Sequence, residues 1–439
     1  MKTAFPRFVP VVAVIVVLIS GAYSFYHHDR PRIDALGYDQ IGWNLARGLG
    51  YVEDESNAAT PEKDFAINRV GPGYEFFLAG VYTVFGHKIW VVWMLHALLR
   101  GVSVVLVFLI SRLLFSQNEK IGIVAAILFG FVPDLIVVNG LLLTETLFIF
   151  LLLLVTYISL VAVRGQSRSM PALAGLFFAF AIMTRPIAIL PFLAFIALFI
   201  WRKNWKEVLL SVLFPLIIIG TWSSFVSRRY STFILTTGVG TYDLWVGNNI
   251  DAKGGFEKTA EQLEARHSLS VAELDTISRS KYVAFITSHP LRFLELQWRK
   301  TALYFSLIRP GGYWIHLMAH PFERLLTLYA SAFWTAALFI FGLAGAWVLY
   351  RKRNDISWYL LAVFALLQPL AVIPIIVETR YRYPFFPFLA VFAAYFLLLR
   401  PIMRGAFFGA LAVIIIFTGY DAIYNASEIA SKIMSVFAF

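Results

Sequence analysis

The chain returns again and again to long apolar stretches, and that repetition constrains it more than any other feature. The runs are Val9–Tyr26, Ile89–Phe115, Ile121–Pro133, Leu143–Val163, Pro171–Ile182, Ile187–Trp201, Val208–Phe225, Leu328–Leu349, Ser357–Val377, Phe385–Leu399 and Ala406–Ile423. A bilayer core about 30 Å thick needs roughly 20 apolar residues per crossing helix. The runs therefore predict an all-α polytopic membrane protein of about eleven spans, the shorter ones extended by their neighbours. Only 14% of the residues are charged, against about 25% in an ordinary soluble chain.

Lys and Arg gather in alternate short connections: Lys2/Arg7, Arg112/Lys120, Arg164/Arg168, Arg202/Lys203/Lys206, Arg351/Lys352/Arg353 and Arg400/Arg404. By the positive-inside rule these connections and the N-terminus face the cytoplasm of a plasma (inner) membrane. The first run has a basic start and small residues near Ser20–Ser24, like a secretory signal, but the alternation requires it as an uncleaved anchor. The net charge of +11 then belongs to cytoplasmic loops and lipid contact, and nucleic acid is not an expected partner. There is no cysteine, which excludes disulfides, thiol catalysis and thiolate metal sites.

In this orientation two long polar segments face outward. One, residues 27–88, lies within an N-terminal membrane module (1–226) expected to be catalytic. The other, 227–327, is expected to form a small extracytoplasmic domain before the C-terminal helices (328–439). In the first, Ile33, Leu36, Ile41 and Leu45 predict a helix stopped by Gly48 and Gly50. Asp34 and Tyr38 share one face of it. In the second, Gly247–Asn248–Asn249 and Gly254–Gly255 read as turns, and Ser270–Val271–Ala272–Glu273 as a capping box. The mixture of Trp298, Tyr304 and Phe305 with Arg292, Arg299 and Lys300 suits a helix in the headgroup layer or one packed on the outer domain.

Several polar residues sit at outer helix ends. Asp34, just beyond the first span, is a candidate general base or a solvated carboxylate. Glu145 opens the fourth span, where an ionisable group is costly unless paired or facing a cavity, and Thr144 is a candidate cap for that helix. Arg185 lies in one outer turn, Arg380 and Arg382 in another, and Arg69 in the first loop. Together they suit a shared phosphate site, although for any one of them alone snorkelling to lipid phosphate is the better reading. His316/His320 and His27–His28–Asp29 have metal-ligating character without a third ligand at a diagnostic spacing, so a divalent cation is not supported. Asn425–Ala426–Ser427 is a weak glycosylation pattern.

The order of these features resembles GT-C glycosyltransferases, in the branch of the protein O-mannosyltransferases and lipid A aminoarabinose transferases. The resemblance rests on Asp34–Ala35–Leu36–Gly37–Tyr38 running on to Gly48–Leu49–Gly50–Tyr51, and on Arg69 with Pro72–Gly73–Tyr74. Thr144–Glu145, Thr184–Arg185–Pro186 and Arg380–Tyr381–Arg382–Tyr383–Pro384 follow in the same order. It implies an inverting transferase that moves a monosaccharide from a polyprenyl-phosphate sugar to a lipid, glycan or protein acceptor at the outer face, with a leaving group good enough that positioning and electrostatics could suffice without a metal. Asp34 would be the base, Glu145 would position acceptor or base, and Arg69, Arg185, Arg380 and Arg382 would hold the donor phosphate. Tyr38, Tyr74 and Tyr381 would touch substrate. Many relatives have Asp–Glu where this chain has Asp34–Ala35, and Asp39 competes as the base. A polysaccharide polymerase or ligase and a lipid or sugar transporter are the alternatives, though the transporter lacks the repeated halves and midplane polar site expected of it.

Overall fold

The structure, a computed structural model, describes residues 8–165, 167–308, 316–317, 320–352, 355–398, 404–427 and 430. Lys2, Arg7, Arg353 and Arg400 lie outside the described residues. The described residues are helical, with no β-strand among them.

Among the described residues seven helices are long and apolar enough to cross a membrane. They are α1 (Phe8–His27), α4 (Ile89–Leu114), α7 (Glu145–Val163), α10 (Trp205–Tyr230), α15 (Pro321–Lys352), α17 (Phe386–Leu398) with the 3-10 turn Thr379–Phe385 leading into it, and α18 (Arg404–Tyr424). One further crossing is broken: α5 (Glu119–Gly130) and α6 (Pro133–Asn139) meet at a 56° bend. Three shorter apolar helices, α8 (Met170–Thr184), α9 (Ile189–Trp201) and α16 (Ile356–Val372), account for the remaining runs. Each of the eleven apolar runs therefore corresponds to a helical unit, and the polytopic all-α class holds.

The α5/α6 break explains an arginine that no sequence motif singles out. Pro133 starts α6, and the interrupted ladder leaves carbonyls that need donors in an apolar setting. Arg100, buried in α4, donates from Nη2 to the Gly130 carbonyl (2.8 Å) and from Nε to Ser20 Oγ (3.0 Å). Asn139 Nδ2 closes the same region, donating to Ser24 Oγ (2.9 Å) and to the Trp93 carbonyl (3.3 Å). These bonds tie α1, α4 and α6 together. Elsewhere small residues permit close backbone approach: a methyl at Gly175 of α8 would overlap the Ser211 carbonyl of α10, and one at Gly345 of α15 the Phe392 carbonyl of α17.

The non-spanning helices collect at one end of the bundle. The first polar segment forms α2 (Asp34–Ala46) and α3 (Pro72–Phe85), with short 3-10 turns between them. Gly48 and Gly50 end α2 with positive φ (78° and 92°), as their stop role requires. The second forms α11 (Gly240–Gly247), α12 (Ala260–Ser268), α13 (Val271–Ser288) and α14 (Pro290–Phe305), around small apolar clusters such as Tyr242, Trp245, Val246, Leu274 and Ile376. The expected capping box is present: Ser270 Oγ accepts from the Glu273 N–H and Glu273 returns to Ser270 N. In α14, Trp298 packs on Phe417 of α18 (5.2 Å between ring centres), while Leu291 and Leu294 remain exposed.

The candidate active site

Four parts of the chain converge at the end of the bundle that carries α2 and α11. Asp34 is the first residue of α2, where the helix N-terminus favours a carboxylate. Its Oδ2 accepts from Arg380 Nη2 at 2.7 Å, and its Oδ1 from Arg69 Nη1 at 3.3 Å. Arg69 crosses α2 directly over Gly37, where a methyl would overlap its guanidinium. The arginine's other edge binds Glu53, with Nε donating to Oε2 at 2.8 Å and Nη2 to Oε1. Its backbone is pinned from the second polar segment, because Thr237 Oγ1 donates to the carbonyls of Ile67 (2.8 Å) and Arg69.

Arg380 enters from the turn before α17. It also binds Glu378 (Nε–Oε2, 2.8 Å) and approaches Glu145 (3.9 Å). Glu145, buried at the start of α7, accepts from Arg185 Nη2 at 3.1 Å. Arg185 stands at the C-terminal end of α8. Tyr381 lies between the two arginines, its ring centre 5.4 Å from the Arg185 guanidinium and 5.7 Å from that of Arg380. Thr144 is the N-cap residue of α7, but its side chain makes no capping hydrogen bond; the hydroxyl instead donates to Glu145 Oε2 at 3.5 Å.

Burial pushes the Asp34 carboxyl upward, but Arg380, with its charge and hydrogen bond, and then Arg69 outweigh this and hold it below the usual carboxylate value. Burial likewise opposes the charge on Arg69, and Glu53 and Asp34 overcome it. Tyr38, one turn from Asp34, is raised well above its ordinary value by burial and then by Asp34, so it stays a neutral hydroxyl. The cluster holds four carboxylates (Asp34, Glu53, Glu145, Glu378) and three guanidinium groups (Arg69, Arg185, Arg380).

Of the residues singled out in the sequence, Asp34, Glu145, Arg69, Arg185, Arg380 and Tyr381 meet here. Others do not. Asp39 turns to the far side of α2, where Oδ1 accepts from Tyr82 (2.5 Å) and contacts His87 Nε2 (2.9 Å). Arg382, two residues from Arg380, is buried on another side of its turn, donating to the Ser306 carbonyl at 2.9 Å. Tyr74 is buried in a chain to His96 (3.2 Å), with Tyr38 packed edge-on against it at 5.6 Å. Glu53 and Glu378 were not singled out as site residues. The short Glu378–Thr379–Arg380 spacing was the available signal for one, and the acidic run Glu53–Asp54–Glu55 for the other. The two histidine groups do come together: the ring of His27 lies 5.1 Å from His316 and 6.0 Å from His320. Even so, among the described residues no three His, Cys, Asp or Glu side chains are arranged to hold a metal ion.

Residues 69–226 match the family model of dolichyl-phosphate-mannose-protein mannosyltransferases. Among solved structures, ArnT from Cupriavidus metallidurans, bound to undecaprenyl phosphate, aligns with a TM-score of 0.50 at 15% identity, over 92% of this chain and 62% of its own. The chain has the fold of the GT-C glycosyltransferases. An oligosaccharyltransferase from Archaeoglobus fulgidus, in complex with Zn and sulfate, aligns at TM-score 0.48 and 16% identity over 95% of this chain and 53% of its own. The chain thus spans less than two thirds of the length of either protein. No curated protein sequence matches it. The fold that the motif resemblance implied is borne out, and the segment matched by the family model carries Arg69, Glu145 and Arg185.

Proposed function

We propose that this chain is a membrane glycosyltransferase that moves a monosaccharide from a polyprenyl-phosphate donor to an acceptor hydroxyl with inversion. The observation that carries this reading is the meeting of Asp34 with Arg380, 346 positions apart in sequence, in a cluster of three guanidinium groups. Guanidinium forks suit phosphate oxygens. The carboxylates outnumber the arginines by one, so an arriving phosphate must take arginine contacts from the acids that hold them. Asp34 would then accept the proton of the acceptor hydroxyl as that oxygen attacks the anomeric carbon. The bond from that carbon to the phosphate oxygen breaks, and its electron pair leaves on the polyprenyl phosphate. Arg380, with Arg69 and Arg185, would stabilise the charge developing there. Glu145 keeps Arg185 in place. A phosphate is a good leaving group, so this reading assigns no step to a metal ion.

The basic connections Arg112, Arg164 and Arg202 lie at the opposite end of the bundle, held by Glu119 (3.7 Å), Asp355 (3.8 Å) and the Val163 carbonyl (2.9 Å). With the positive-inside rule, that arrangement supports a site on the outer face of the plasma membrane.

Transfer of label from polyprenyl-phosphate sugars to an envelope extract, in reconstituted membranes, tests the reading. Wild type should transfer and a folded Asp34→Asn should lose transfer by about 10²-fold or more. Equal transfer by both would remove Asp34 as base; lipid movement between leaflets without transfer would favour a flippase.

A further inference from the structure

Beside the cluster lies a cavity of about 830 Å³, walled by α2, the segment 53–69 and α12. Arg69 and Glu53 form its border with the Asp34 site. None of its walls is a membrane-spanning helix, and eight of its fourteen lining residues carry charge, so it is unsuited to a lipid tail.

The wall carries four acids and four basic side chains, and they are not all paired with one another. Its four acids are committed: Glu53 to Arg69, Glu55 to Arg47 (2.6 Å), Asp54 to Ser56 N–H (2.8 Å), and Asp64 to the N–H groups of Glu53, Asp54 and Ala66 (2.7–3.0 Å). Arg47 and Arg69 are thereby used. Lys63 and Arg266 have no ion-pair partner within 4.0 Å among the described residues. Arg266 lies over the Tyr242 ring (5.6 Å), and its charge is one of those that depress the Asp34 carboxyl. The neighbouring Asp243 does not cancel it fully, because burial pushes that carboxyl up to about 7.

We propose that this cavity is the acceptor site, and that its acceptor is a hydroxyl-rich saccharide bearing a carboxylate or phosphate group recognised by Arg266 and Lys63. This rests on the transferase reading above and names the substrate class for it. The geometry separates two approaches to Asp34. On this reading the donor phosphate takes the Arg185 and Tyr381 side of the cluster, and the polar acceptor the α12 side. Phe65, half-buried in the wall, offers a ring face to a pyranose.

The test uses the full chain in nanodiscs and four fluorescent probes: tetragalacturonate and its methyl ester, and maltotetraose phosphate and maltotetraose. At least one acidic probe should bind at least about tenfold more tightly than its neutral counterpart. Arg266→Gln or Lys63→Gln should remove about tenfold of that affinity, while leaving the neutral probes alone. Which acidic probe binds distinguishes carboxylate from phosphate. In transfer assays with the acidic acceptor, Arg266→Gln should raise the acceptor KM about tenfold and change kcat by less than about twofold. Equal binding of charged and neutral probes, no binding of either acidic probe, or no effect of both substitutions would overturn the acceptor class while leaving the transferase reading intact. Absence of transfer by wild type with every donor and acceptor would instead overturn the transferase reading, and the acceptor role with it.

Discussion

Replacing Arg380 by Gln should shift the acid limb of the pH–rate profile upward as well as slow the enzyme. Asp34 lies 2.7 Å from Arg380 and 3.3 Å from Arg69, and both contacts favour its ionised form. Two unit charges about 4 Å apart interact by about 4 kcal/mol at an effective dielectric of 20. The Asp34 and Arg380 side chains are 32% and 21% exposed, and Arg380 is shared with Glu378 at 2.8 Å, so solvent and sharing cut that value. About 1.4–2 kcal/mol remains, or roughly 1–1.5 pKa units. In wild type, with its carboxyl held below the usual range, the proposed base should be ionised throughout the neutral range and activity should fall only in acid. In Arg380→Gln the fall in kcat/KM should begin about one unit higher, on top of a loss of about 10²-fold in kcat from the missing phosphate contact. Arg380→Lys keeps the charge but not the fork, so its limb should stay near wild type while its rate drops. Sugar transfer measured in proteoliposomes from pH 4 to 8, with folding checked by thermal melts, separates the two effects. An acid limb that stays put or moves down in Arg380→Gln, with the rate reduced, would show that Asp34 is not the titrating base, however important the arginine is.

Other predictions follow from single contacts. The folded pKa of Asp34 lies below its unfolded one, so its ion pairs contribute stability that is complete above the ordinary carboxylate pKa and lost as pH falls through the depressed value. The melting difference between wild type and Asp34→Asn should therefore shrink in acid; a difference that widens there would contradict the pairing. Asp39→Asn, confined to the Tyr82 and His87 contacts, should leave the acid limb in place; a loss equal to that of Asp34→Asn would reassign the base. Glu145→Ala strands Arg185 in a buried setting and should destabilise the protein by about 3–5 kcal/mol in detergent melts, with Glu145→Gln milder. Gly73→Ala would place a methyl 2.7 Å from Thr184 N and 2.8 Å from Met183 C, both backbone atoms. It should cost about 1–3 kcal/mol and misplace Arg69 relative to Arg185, and unchanged melting and transfer would show that the α3–α8 contact is not tight.

The amino-acid sequence by itself determined the helical units and their polar ends. Apolar run length sets what can cross a bilayer, and glycines and a capping box set where helices stop and start, all of which are local properties. Hence the apolar runs, the stop of α2 at Gly48 and Gly50, and the Ser270–Glu273 cap were legible before any contact was known. Which charged groups meet was not. Arg380 and Arg382 stand two residues apart in one turn, yet one reaches Asp34 and the other the Ser306 carbonyl. Asp34 and Asp39 share a short helix and face different neighbours. Glu53 gains its place only because Gly37 lets Arg69 cross α2. Each of these depends on the rotation and packing of helices distant in sequence. Side-chain partners are chosen by that packing, because a charge excluded from water must find its counterion wherever the backbones bring one within reach.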